Sequence, residues 1–198
     1  MELVAPVALR DRPAEPDRRS QIERATLREV LMGAQDNLTN VLAVVLGVAI
    51  GAGRSDLVAL AGLAAGVAES ISMGGVLYTS TQAELDLEAR VRAEAGPASA
   101  ALVPAEGRRR LGPAQAGIVC FGAAMVAGLV PLIPFVFLPL HAAVVACFVI
   151  SILALYGVGS WAGGVTGRSP WRDGTRLVLI AGTAALAAAI IGMILRIN

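Results

Sequence analysis

Two carboxylates fall where a bilayer-spanning chain can least accommodate them. Asp36 and Glu69 lie in or at the edge of long apolar runs of the 198-residue sequence. A charged carboxylate deep in a bilayer costs on the order of 2.5–3.5 kcal/mol on insertion scales. Each is therefore a functional candidate. The competing reading is an interfacial cap or a solvated side chain, and it suits Asp36 better than Glu69, which is well inside its run.

Their neighbours extend the set. Asn40 follows Asp36 by four residues, and Met73 follows Glu69 by four. Residues at that spacing share one helical face. Together they offer two carboxylates, an amide oxygen and a thioether. Oxygen ligands alone would suit magnesium or calcium; a thioether shifts preference towards a softer divalent ion such as iron(II). Met73 by itself says little, because a methionine in a span is more often packing. Metal ions and protons compete for a carboxylate held in a dry site. That competition is what a metal–proton antiporter requires.

A second candidate lies in the polar stretch that follows. Glu84 and Glu88 are one helical turn apart, with Asp86 and Glu94 close by. A solvated helix with arginine partners explains these acids equally well. No His or Cys stands beside them. His141, the single histidine, follows Pro139 and reads as a cap or interface residue rather than a ligand. Cys120 and Cys147 lie in separate apolar runs without CxxC spacing, as small packing residues do. There is no GxSxG, HExxH, Walker loop or GxGxxG. No enzyme activity and no resident cofactor are expected; the metal would be the substrate.

The elements that must hold these residues are long apolar helices. Hydrophobic residues make up 56% of the chain, and mean hydropathy is +0.71. Runs of this kind predict five bilayer spans, at about residues 30–53, 57–80, 114–137, 140–163 and 177–195. Gly51 to Asp56 is the turn of a hairpin between the first two. Pro131, Pro134 and Pro139 predict a broken helix end between the third and fourth. If span two runs on to Ala95, its polar extension is about 21 Å long at ~1.5 Å per residue. Gly96-Pro97 should break it. Trp161, Trp171 and Tyr78 fall near span ends, as interfacial anchors do.

The chain thus divides into a tail and interfacial helix (1–29), spans one and two with the pathway residues (30–80), a short polar helical segment (81–113), and spans three to five (114–198). Within the first part, 1–16 reads as a flexible tail and 17–32 as a surface helix. It is too long and too acidic for a signal peptide. All sixteen basic residues are arginine. Fourteen fall in the N-terminal segment and in the loops after spans two and four; only Arg54 and Arg196 lie on the other side. By the positive-inside rule the N-terminus and the 81–113 segment are cytoplasmic. A net charge of +1 does not suggest a nucleic-acid partner. The all-arginine, alanine-rich composition fits a GC-rich bacterial source and hence a plasma membrane. Glycines spaced by four (Gly47/Gly51, Gly62/Gly66, Gly159/Gly163) allow close helix approach, within one chain or, less expectedly for any single pair, at a dimer seam.

The stretch from Leu31 through Asp36-Asn37-Leu38-Thr39-Asn40, the Ala68-Glu69-Ser70-Ile71-Ser72-Met73-Gly74-Gly75 segment, Tyr78 to Glu84, Gly128 to Pro134 and Gly167-Arg168-Ser169-Pro170 resembles the vacuolar iron transporter family. The aspartate and Ser-Met-Gly motifs are its specific parts, and the likeness covers about residues 25–198. It implies an all-α membrane protein, a five-span homodimer that exports iron(II), sometimes manganese, from the cytosol in exchange for protons. The pathway would lie at the dimer interface, with Asp36 and Met73 on it; Glu69 matches one branch of the family. Two features depart from the pattern. Gln35-Asp36-Asn37 stands where many members have Gly-Asp-Gly-like residues, and the long glutamate-rich domain between spans two and three is reduced to about 33 residues with few acids. A non-transporting scaffold of the same fold is the other reading.

Overall fold

A computed structural model describes the backbone of residues 18–100 and 111–196, and the side chains of 26–94 and 111–196. The predicted tail at 1–16 and the Arg108–Arg110 run lie outside those residues. The described chain is all helix. It comprises α1 (Arg18–Ala52), α2 (Ser55–Ala100), α3 (Pro113–Leu129), a 3-10 turn (Val130–Leu132), the short α4 (Pro134–Phe137), α5 (Leu140–Val165) and α6 (Pro170–Ile194). Five stretches are long and apolar enough to cross a membrane: Thr26–Ala52, Ser55–Glu94, Pro113–Phe137, Leu140–Val165 and Pro170–Ile194.

Local chemistry sets the ends. Pro113, Pro134 and Pro170 each open a helix, where a missing N–H costs nothing. Gly53 closes α1 at φ 62°, a left-handed conformation that side chains disfavour. Pro131 and Pro134 break the third span into α3, the 3-10 turn and α4, as the proline cluster predicts.

Three boundaries differ from expectation. No break separates an interfacial helix from span one: α1 runs unbroken for 35 residues. Gly33 stands at the junction, but a single glycine weakens a helix without ending it, and no proline interrupts α1. The fifth helix opens at Pro170, ahead of the apolar run, because its first turns are polar but helix-compatible. Helix α2 continues through Gly96-Pro97 to Ala100. A proline removes one donor and clashes with a carbonyl one turn back, which weakens a helix without ending it. At 46 residues α2 is about 69 Å long at ~1.5 Å per residue. A ~30 Å hydrocarbon layer cannot hold all of it. Its charged C-terminal part must project beyond the bilayer.

Helix α1 is the hub and packs on α2, α3, α5 and α6. Leu38, Val41, Leu42 and Val45 on it are buried from every side. Lipid tails are as apolar as leucine, so burial alone does not drive helix association; close backbone approach does. The spaced glycines provide it within this chain. A Cβ on Gly47 would lie 3.1 Å from the carbonyl oxygen of Ala188, and one on Gly51 would lie 3.3 Å from that of Gly192. Gly159 and Gly163 receive the start of α6, and Gly62 receives Leu132. Cys120 and Cys147 are buried in separate apolar clusters, as packing residues.

The tightest crossing gives a direct test. A Cβ on Gly192 would run into the backbone carbonyl of Gly47, which no rotamer change relieves. Gly192→Val is expected to cost about 1–3 kcal/mol, read as a lower Tm of the purified protein in detergent. Gly182→Ala is the control. Nothing lies within 4 Å of its added Cβ, and its Tm should hold or rise.

Candidate metal pathway between α1 and α2

Antiparallel packing of α1 on α2 brings the two candidate pairs to one level. Asn40 Nδ2 donates to Glu69 Oε2 at 3.1 Å, a half-buried bond across the helix pair. The carboxylate of one pair is thereby tied to the amide of the other. Asp36 lies one turn back along α1. It is exposed on the surface of the chain although it falls inside a span. Ser72, three residues after Glu69, is exposed on α2 in the same way. Asp36, Asn40, Glu69 and Ser72 thus make the outer face of the hairpin polar within an apolar span.

Met73, four residues after Glu69 and about 40° further round α2, turns inward. It is buried with Leu77, Ala116 and Cys120, and Met32 packs against the same group. Its thioether lines the α1–α2–α3 seam. Glu84 is exposed, and Glu88 is half-buried with Arg92 one turn on, 3.9 Å away. That pair follows the solvated-helix reading for Glu88. Among the described residues no three His, Cys, Asp or Glu side chains converge as a metal cage. His141 stands apart, at the start of α5 beside Gly53 and Arg196.

The residue that organises the site was visible only as part of a motif. Asn37 is fully buried. Its Nδ2 approaches the carbonyl oxygen of Gly66 at 2.9 Å, Ser70 Oγ at 2.9 Å and the carbonyl oxygen of Ala124 at 2.7 Å. Ser70 in turn donates to the Gly66 carbonyl at 2.6 Å. Two of the three acceptors are carbonyls, so only the donor end of the amide can face them. One side chain thereby joins α1, α2 and α3. Gly128 makes the room: a Cβ there would lie 2.5 Å from Asn37 Nδ2. The clamp fixes the rotation of α1, and that rotation turns the adjacent Asp36 outwards. Helical spacing draws attention to charges four apart; it does not mark an amide one residue away from a carboxylate. The signal was its position, a polar amide in an apolar run.

Five helices long and apolar enough to cross a membrane, three of them joined by a buried amide, define an integral membrane protein with acids on the outer face of its first hairpin. A sequence model of the VIT family matches residues 27–102 and 97–193. The chain is 30% identical over 154 residues to vacuolar iron transporter homolog 2 of Oryza sativa subsp. japonica, covering 77% of this chain and 82% of the rice protein. It belongs to the vacuolar iron transporter family.

Proposed function

We propose that this protein carries divalent metal, iron(II) and also manganese, out of the cytosol in exchange for protons, as a homodimer in the plasma membrane. The observation that carries the reading is the exposure of Asp36 inside a span, one turn from the Asn40–Glu69 bond. A carboxylate turned to lipid is costly. A second copy laid on the same face would cover it and bring a second Asp36 and Glu69 to the seam. Donors from two chains would then supply what one chain does not assemble. Family membership and the name of the rice relative support metal as the cargo. The arginine asymmetry supports a cytoplasmic N-terminus and a cytoplasmic end of α2.

The scaffold reading draws on one observation, the lack of a three-residue metal cage among the described residues. Transport assays separate the two. Vesicles containing the purified protein should take up iron(II) and manganese, with zinc slower, while an internal dye reports opposite proton movement. Absence of metal-dependent flux for all three ions would sink transport. Flux that ignores an imposed pH gradient would sink proton exchange alone.

A further inference from the structure

The segment Gly167-Arg168-Ser169-Pro170 stands outside the α1–α2 hairpin and makes the tight turn between α5 and α6. Gly167, at φ 70°, reverses the chain, and the Arg168 N–H donates to the Gly163 carbonyl at 2.8 Å, a glycine-closed helix end. Pro170 then opens α6. The first turn of α6 is seated on α5, where a Cβ on Gly163 would lie 3.1 Å from Asp173 Oδ2. Asp173 is half-buried in that seat, and Arg168 Nε pairs with it at 3.4 Å. Backbone and ion pair together hold Arg168 in place.

Beside this turn α1 parts from its neighbours. Helices α1 and α6 touch closely at their far ends, Gly47 on Ala188 and Gly51 on Gly192. The same register carried back along both helices puts Gln35 level with Arg176. There the space is not filled. A cavity of about 260 Å³ lies between α1, α5 and α6, with Gln35, Arg168, Asp173 and Arg176 on its wall. Further along α6 the lining turns apolar, with Leu177 and Ile180. Ile180 is exposed, so the cleft opens on the outer surface of the spans. Its rim has surplus positive charge. Asp173 offsets Arg168, whereas Arg176 is exposed and, among the described residues, makes no ion pair. Arg172, one turn before Arg176, is exposed as well. Trp171 stands on the same first turns of α6, 73% exposed. An indole so placed favours the headgroup layer of a bilayer.

We infer that this cleft binds an anionic phospholipid of the leaflet at the arginine-rich end of the spans, its phosphate between Arg168 and Arg176 and an acyl chain along Leu177 and Ile180. Basic pockets between spanning helices hold anionic headgroups in this way. The guanidinium fork matches phosphate and stays charged at every working pH. A soluble phosphate would use the arginines and leave the apolar lining empty. A zwitterionic lipid would fill the lining but bring its own cation to a rim already positive. An anionic lipid satisfies both halves. The binding does not depend on the transport reading. Any effect of the lipid on flux, through Gln35 beside Asp36, does.

The test uses the full chain in non-ionic detergent, with phosphatidylglycerol, phosphatidylcholine of the same acyl chains and inorganic phosphate as probes. Native mass spectrometry counts bound lipid, and Tm is read in parallel. Phosphatidylglycerol should stay bound and raise Tm; the other two, at the same concentration, should do neither. R176Q should weaken phosphatidylglycerol binding by about fivefold, the worth of one basic residue at a membrane surface. R168Q/R176Q should weaken it by at least about tenfold and lose the Tm shift. R54Q removes the same charge at the far end of α1 and should bind as wild type does. Equal binding of the two lipids by wild-type protein overturns the site, and so does wild-type phosphatidylglycerol affinity in R168Q/R176Q. A Tm rise from inorganic phosphate equal to that from phosphatidylglycerol overturns the lipid as occupant. If the double variant does not fold, R176Q decides alone, and unchanged affinity there overturns the site.

Discussion

Asp36→Ala is expected to reduce metal flux by at least tenfold while leaving the Tm within about a degree of wild type. The two halves of that result have separate causes. Asp36 is exposed, and among the described residues no side-chain hydrogen bond involves it. Removing an exposed side chain away from caps and networks usually changes stability by no more than ~0.5 kcal/mol. Its charge is another matter. Unit charges ~4 Å apart interact by about 4 kcal/mol at an effective dielectric of 20, and a divalent ion by more. Solvation offsets part of this, but even half of it exceeds the ~1.4 kcal/mol that makes a factor of ten. Asp36→Glu should retain partial flux, since the charge survives and only its reach changes. Glu69→Gln should lose flux as well and keep the bond from Asn40, because the amide oxygen can still accept from Nδ2. Vesicle uptake beside thermal melting of the same preparations checks all three. Wild-type flux in Asp36→Ala would take the residue off the pathway.

Asn37→Ala, one residue along, should do the reverse. It is expected to destabilise the protein by about 2–3 kcal/mol. Interhelical hydrogen bonds in membranes average ~0.6 kcal/mol and reach ~1.7. Asn37 approaches three acceptors on two other helices, and its loss also leaves a small cavity beside Gly128. Asn37→Asp should be worse, although the side chains match in shape. It turns an acceptor towards the carbonyls of Gly66 and Ala124 and buries a charge among them. Chemical denaturation or thermal melting in detergent gives the ordering wild type, Asn37→Ala, Asn37→Asp. Equal stability for all three would mean that the amide does not hold α1 to α2 and α3. Any flux lost by Asn37→Ala should scale with the unfolded fraction, whereas that lost by Asp36→Ala should not.

Much of this molecule could be read from residue order. Five spans follow from apolar length, because a polar backbone in lipid must satisfy itself in helices that cross the whole layer. The broken end of the third span follows from Pro131 and Pro134, whose rings remove donors wherever the chain goes. Asp36 and Glu69 stood out because a charge in such a run is costly in any fold. The spacing of Asn40 and Met73 from them is a property of the helix itself.

Tertiary structure decided which of these residues meet. The pairs Asp36/Asn40 and Glu69/Met73 each share a helical face, but spacing cannot say how one helix is rotated against the next. That rotation is set by Asn37 reaching across to Gly66, Ser70 and Ala124, in the space left by Gly128. It joins Asn40 to Glu69, turns Asp36 outwards and Met73 inwards. It also buries Glu29, which as sequence is one acid among many in a polar segment. Single-helix periodicity determines what a face contains. The closest approach of glycines and one buried amide, on helices far apart in the chain, determine what that face looks at.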